Sequence, residues 1–99
     1  MVESGKIPAN LAGENMLELF QFENCPYCRR VREKLSEFEV DYICRNVQVG
    51  SEKWEELTRS HPFKQVPFLV DKDRGISMAE SAEIVKYLER YYNPDRSVR

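Results

Sequence analysis

Two spacings of apolar residues organise this chain. Leu17 to Phe22 is a short, nearly continuous apolar stretch, which predicts a buried strand. The period then becomes helical from Arg29 to Phe38. Tyr27, Val31, Leu35 and Phe38 share one face, and Arg29, Arg30, Arg32, Glu33 and Lys34 occupy the others. Tyr42 to Val47 predicts a second strand, parallel to the first if the crossover is the usual right-handed one. Trp54 and Leu57 anchor a short second helix reaching Ser60, broken by His61-Pro62-Phe63-Lys64. Val66 to Val70 is a third apolar strand, with Pro67 at its start, where a strand tolerates it. Asp71-Lys72-Asp73-Arg74-Gly75 is turn chemistry leading to a very short fourth strand near Ile76. Ser77-x-x-Glu80 reads as a capping box for the last helix, which carries Ala82, Val85, Leu88 and Tyr92 on one stripe, flanked by Ile84 and Tyr91. Asn93-Pro94 stops it. The order β-α-β-α-β-β-α predicts an α/β fold with a four-stranded mixed sheet and helices on both faces.

Outside that pattern lie residues 1–15, polar and carrying Gly5, Pro8 and Gly13, expected to be a flexible extension. The domain is expected over 16–93, followed by a polar tail over 94–99. Ninety-nine residues allow one domain with a modest core. The net charge of -2 offers no basic excess for nucleic acid, and no polybasic cluster flanks an apolar stretch as membrane binding would require. The apolar runs are too short to span a bilayer, and the N-terminus lacks the features of a signal peptide. A cytoplasmic monomer is the expectation.

The chemistry concentrates in Cys25-Pro26-Tyr27-Cys28, between the first strand and the first helix. Unpaired N–H groups and the helix macrodipole favour a thiolate in the first sulfur of such a motif, with Arg29 and Arg30 close in sequence. The second sulfur lies one turn on, within reach of a disulfide. A C-x-x-C in a βαβ setting is the thioredoxin-like redox pattern, so Cys25 is the expected nucleophile and Cys28 the resolving thiol. An odd count of three cysteines argues against a stapled scaffold. The rival use of C-x-x-C is metal binding. Zinc wants four ligands, and the remaining Cys44 and His61 are not paired at ligand spacing. An iron–sulfur cluster bridged between two chains is disfavoured by the bulk of Pro26-Tyr27. No metal or bound cofactor is expected. Cys44, in the second strand, reads as a small core residue, and Trp54, Phe63 and Phe68 read as core.

Cys25-Pro26-Tyr27-Cys28 resembles the active-site tetrapeptide of glutaredoxins. The segment His61-Pro62-Phe63-Lys64-Gln65-Val66-Pro67 is similar to an Asn-Pro-Phe-Gly-Gln-Val-Pro stretch of glutathione transferases, and Glu80-Ser81-Ala82-Glu83-Ile84 to their Glu-Ser-x-Ala-Ile signature. The likeness runs from about Leu17 to Tyr92 and points to the N-terminal domain of omega-class transferases and to the two-domain bacterial glutaredoxin. It implies a thioredoxin-like (glutaredoxin) fold and a glutathione-dependent thiol–disulfide oxidoreductase. Its partners would be glutathione, as donor and substrate, and disulfide-containing or glutathionylated proteins.

The resemblance also implies roles. Glu80 and Ser81 would hold the γ-glutamyl end of glutathione, with helix N–H groups helping to bind its carboxylate. A plain capping role is the simpler alternative. Pro67 would be cis, turning Val66 to pair with an extended thiol peptide. Gln65 could reach the glycine end, with Lys64 and Arg59 as candidate cations for its carboxylate, and Tyr27 could line the groove or belong to the apolar stripe. Three alternatives stand beside this reading: a glutathione- or partner-binding module without turnover, a redoxin reduced by a thioredoxin-reductase-type flavoenzyme, and a transferase fragment. In many glutaredoxins a lysine stands three residues before the first cysteine, where this chain has Phe22.

Overall fold

The computed structural model describes residues 17–61 and 64–95. The expected extension over 1–15 lies outside these residues, as do Phe63 and most of the expected tail. Seven elements follow in order: β1 (Leu17–Gln21), α1 (Pro26–Glu37), β2 (Ile43–Asn46), α2 (Glu52–Ser60), β3 (Phe68–Asp71), β4 (Ile76–Ala79) and α3 (Ser81–Tyr91). The sheet order is β2-β1-β3-β4, with β2 parallel to β1 and the other two pairs antiparallel. This is the mixed four-stranded α/β arrangement that the apolar pattern predicts.

β1 is buried along its whole length because it is covered on both faces. Leu17 and Leu19 point to one side, where they meet Val31 and Leu35 of α1, Phe38 at its C-cap, Leu69, and Ile84, Tyr87 and Leu88 of α3. Phe20 points to the other, with Val47 and Phe68, and there Trp54 and Leu57 of α2 cover the sheet only partly. Burying a leucine fully contributes about 1.5–3 kcal/mol. Most of the apolar stabilisation therefore sits between the sheet and the α1–α3 pair.

α1 starts at Cys25, with Pro26 in the first turn, where its fixed φ suits the helix and its missing N–H costs nothing. Val40 N–H reaches back to the Leu35 carbonyl at 2.9 Å, closing α1 with Glu39 at φ 56, a left-handed position that glycine usually fills. Ser51 caps α2 by accepting from the Trp54 N–H at 3.1 Å.

Four expectations change. The capping box does not form: Ser77 lies in β4, Glu80 is the N-cap of α3 at φ 74, and it makes no side-chain cap bond. The buried stripe of α3 is Ser81, Ile84, Tyr87 and Leu88, and Ala82 is exposed. Tyr27 is not on the buried face of α1, because Cys28 takes that position. Cys44 is exposed, because β2 is an edge strand whose four residues all lie open.

Candidate functional site

At the start of α1 the backbone turns so that Cys25 N–H donates to the Phe22 carbonyl at 3.3 Å. Cys25 becomes the N-cap, and its sulfur accepts the Cys28 N–H at 3.2 Å. That N–H is one of the donors an α-helix leaves unpaired at its start, so the sulfur sits where negative charge is favoured. All three cysteines are thiols, with Cys25 5% exposed and Cys28 fully buried. Burial and the hydrogen bond to Cys25 push the Cys28 thiol up to about 12; a bond from the Phe22 backbone and the charge of Arg32 pull weakly the other way. The two thiols are thus inequivalent: Cys28 is fully buried and its proton is held, while the Cys25 sulfur caps the helix start and accepts a backbone N–H.

Beside the thiols runs a groove of about 470 Å³ lined by Tyr27, Arg30, Gln65, Val66, Pro67, Glu80, Ser81 and Ala82. Tyr27, Gln65, Val66, Pro67, Glu80 and Ser81, drawn from three separate stretches of sequence, therefore share one concave surface. The Val66–Pro67 bond is cis. Tyr27 is 63% exposed at the rim, Glu80 is exposed, and Ser81 is buried at the first position of α3. The backbone at Glu80 reverses direction at positive φ, which presents the N-terminus of α3 to the groove. Lys64 and Arg59 do not line the groove; Arg30 is the cation that does.

Cys25 itself lines an adjoining cleft with Glu23, Asn24, Pro26, Arg29 and Arg32. Arg29, expected beside the thiol, is paired outward with Glu33 at 3.1 Å. Arg32 lies closer in, bonded to the Gln21 side chain and to the carbonyls of Phe22 and Glu23. The apolar period of the helix places Arg32 with Arg29, Arg30, Glu33 and Lys34, off the buried face. A signal was present: strand alternation puts Gln21 on the same buried face as Leu17 and Leu19, so its amide needs a polar partner from α1. Among the described residues, no group of three or more His, Cys, Asp and Glu is placed to hold a metal ion, and no helix is long and apolar enough to cross a membrane.

No curated protein matches the chain. Solved structures do. A glutathione S-transferase from the Antarctic clam Laternula elliptica is 27% identical, with a TM-score of 0.67 over 80% of this chain and 36% of that one. A glutathione transferase homologue from Drosophila mojavensis, solved with bound glutathione, is 26% identical, with a TM-score of 0.65 over 84% and 38%. A transferase from Phanerochaete chrysosporium in complex with oxidised glutathione, 23% identical with a TM-score of 0.70 over 84% and 39%, shares the fold. The chain spans well under half the length of each of these neighbours. The family model described as glutathione S-transferase, N-terminal domain, matches residues 19–96. With its thioredoxin-like sheet and three helices, the chain belongs to the glutathione S-transferase N-terminal domain family.

Proposed function

We propose that the chain is a glutathione-dependent thiol–disulfide oxidoreductase that reduces glutathione mixed disulfides and protein disulfides in a reducing compartment. The observation that carries this reading is the pair of inequivalent thiols at the start of α1, next to a groove with an anion-accepting helix N-terminus. The two neighbours solved with glutathione or its oxidised form support the choice of ligand.

In this reading Cys25 thiolate attacks the glutathione sulfur of a mixed disulfide. The new S–S bond forms as the old one breaks, and the departing thiolate takes a proton from solvent. A second glutathione thiolate then attacks the Cys25-bound glutathione, giving oxidised glutathione and restoring Cys25. On a protein disulfide, Cys28 instead loses its proton and attacks the Cys25 sulfur. The Cys25–Cys28 bond forms as the Cys25–protein bond breaks and the protein thiol leaves, and two glutathiones then restore the dithiol, leaving as oxidised glutathione. The causes that hold Cys28 protonated suit this order. Two of them, the hydrogen bond and the charge of Cys25, vanish once Cys25 is covalently engaged. Glu80 would accept from the α-ammonium of glutathione, while Ser81 and the α3 N-terminus would bind its α-carboxylate. Gln65 and Arg30 would face the glycine end, and Val66 would pair with the cysteinyl backbone.

The test mixes oxidised protein with glutathione at controlled redox poise and reads intact mass for disulfide, dithiol and glutathionylated forms. All three forms, interconverting with the glutathione ratio, are expected. A protein that binds glutathione but never exchanges it would instead be a binding module. Cys28→Ser should keep activity on glutathione mixed disulfides and lose most of it on protein disulfides. Glu80→Ala with Ser81→Ala should raise KM for glutathione about ten- to a hundredfold, the worth of a charge-assisted bond of about 1.5–3 kcal/mol. Parental glutathione kinetics in that double variant would move the donor site elsewhere and favour reduction by a flavoenzyme.

A further inference from the structure

The strand end that leads into the thiol site supplies no cation of its own, since Phe22, Glu23 and Asn24 precede Cys25. Arg32 reaches back to it from the second turn of α1. Its guanidinium donates to the side-chain oxygen of Gln21, to the Phe22 carbonyl at 3.4 Å and to the Glu23 carbonyl at 3.2 Å. The Phe22 carbonyl is also the acceptor for Cys25 N–H, so one oxygen ties the first thiol's backbone to this arginine. Gln21 is itself 1% exposed, and its amide nitrogen donates onward to Asn46 at 2.5 Å. The arrangement is therefore anchored at both ends.

The position of Arg32 differs from that of its neighbours on the helix. Its side chain is 20% exposed, against 71% for Arg29, whose charge is directed to Glu33. The Glu23 carboxylate stands 4.0 Å from the Arg32 guanidinium on a side chain that is 85% exposed, so solvent screens that pairing. The guanidinium thus keeps positive charge at the wall of the cleft that holds Cys25.

We propose that Arg32 is a positioning residue of the thiol site: it pins the Phe22–Cys25 turn to α1 and supplies the fixed positive charge that a Cys25 thiolate faces. A planar fork suits both tasks. It satisfies several acceptors in fixed directions, whereas a lysine offers a point charge on a flexible stem. Its charge also acts on Cys28, favouring that thiolate against the larger effect of burial. The proposal rests on Cys25 being the attacking thiol, but not on glutathione being the donor.

The two tasks separate by substitution. Arg32→Gln keeps hydrogen-bond donors and removes the charge; Arg32→Lys keeps the charge and holds fewer acceptors. Iodoacetamide alkylation of each full chain is followed between about pH 5 and pH 9, with the modified site read by peptide mass and melting temperature measured alongside. Arg32→Gln is expected to slow Cys25 alkylation near pH 6 about tenfold and to displace its pH profile upward, leaving Cys44 unaffected. Arg32→Lys is expected to keep the profile in place and to lower kcat on a glutathionylated peptide severalfold. A folded Arg32→Gln protein with the parental profile overturns the proposal, even if it melts earlier. Should Arg32→Gln fail to fold, Arg32→Lys decides alone: a lowered kcat with an unmoved profile supports the proposal, and a parental kcat overturns it. Absence of any glutathione turnover in the parent would remove the donor reading, while the alkylation profile would still judge Arg32.

Discussion

The two faces of the sheet are built differently. The face under α1 and α3 closes nine buried residues into one cluster, whereas the face under α2 buries only Phe20, Val47 and Phe68, and α2 itself has no buried residue. Polar groups differ as well. On the first face Asp71 is fully buried and accepts the Tyr87 and Tyr92 hydroxyls at 2.6 and 2.7 Å, while its other oxygen has no hydrogen-bond partner among the described residues. Burial and that shared carboxylate push both phenols well above their usual range. On the second face Glu18 is buried but held by half-exposed cations, Lys72 at 2.9 Å and Arg45 at 3.4 Å. One face is sealed over a carboxylate held by two hydroxyls, with half-exposed Arg74 no nearer than 3.9 Å; the other is open, and its carboxylate meets cations at 2.9 and 3.4 Å. The thiol site draws on both, since α1 starts on the sealed side and residues 64–67 return from the open one.

The largest test of this contrast is a leucine truncation in the sealed face. Leu88→Ala should cost about 2–5 kcal/mol in denaturant unfolding, through lost burial and a residual cavity. A cost below about 1 kcal/mol would show that α3 is not held by this cluster. Next comes Asp71→Ala, which strands the Tyr87 and Tyr92 hydroxyls and should cost about 1–3 kcal/mol. Tyr87→Phe with Tyr92→Phe in the same background should recover part of it. Leu57→Ala in α2 should cost only about 1 kcal/mol, because the side chain is half-buried. A loss equal to that of Leu88→Ala would erase the distinction between the faces.

The smallest effect belongs to Glu18 and depends on pH. Burial alone would raise its carboxyl, but hydrogen bonds and charge from Lys72 and Arg45 hold it below the ordinary value of 4.5. A depressed folded value means that this stabilisation is present above the unfolded value and is lost as pH falls through the folded one. Glu18→Gln should therefore lower stability at neutral pH by about 1 kcal/mol or less, its cations being half in solvent, and flatten the acid limb below about pH 4.5. An unchanged acid limb would show that the pair contributes nothing.

Much of this was legible in the residues. Apolar spacing located most of the seven elements, β1, α1 and β3 most directly, and turn chemistry at residues 71–75 located β4. What failed did so where tertiary context overrode a local pattern. Ser77 could cap a helix, but pairing with Val70 held it in β4. The α3 stripe was placed one residue late because Ala82 and Val85 look as apolar as Ile84, and only packing on Leu69 and α1 decides. Asp71 read as turn chemistry, and neither its burial nor its two tyrosines leave a trace in local sequence. Of the site, Tyr27, Gln65, Val66, Pro67, Glu80 and Ser81 were named from sequence motifs and line one groove, while Cys25 lines the cleft beside it. Arg32 left only an indirect signal, the buried Gln21 amide, because a helix face alone cannot say which of several arginines turns inward.

The depth of the three thiols has a practical consequence. Cys44, which lines none of the described clefts, is the exposed one; Cys25 is 5% exposed and Cys28 not at all. A bulky aromatic disulfide reagent on the native protein will therefore report first on a bystander, while a small alkylating agent near neutral pH will report on ionisation. Reagent size becomes the variable that separates access from nucleophilicity, and a thiol count taken with one reagent alone would not tell the two apart.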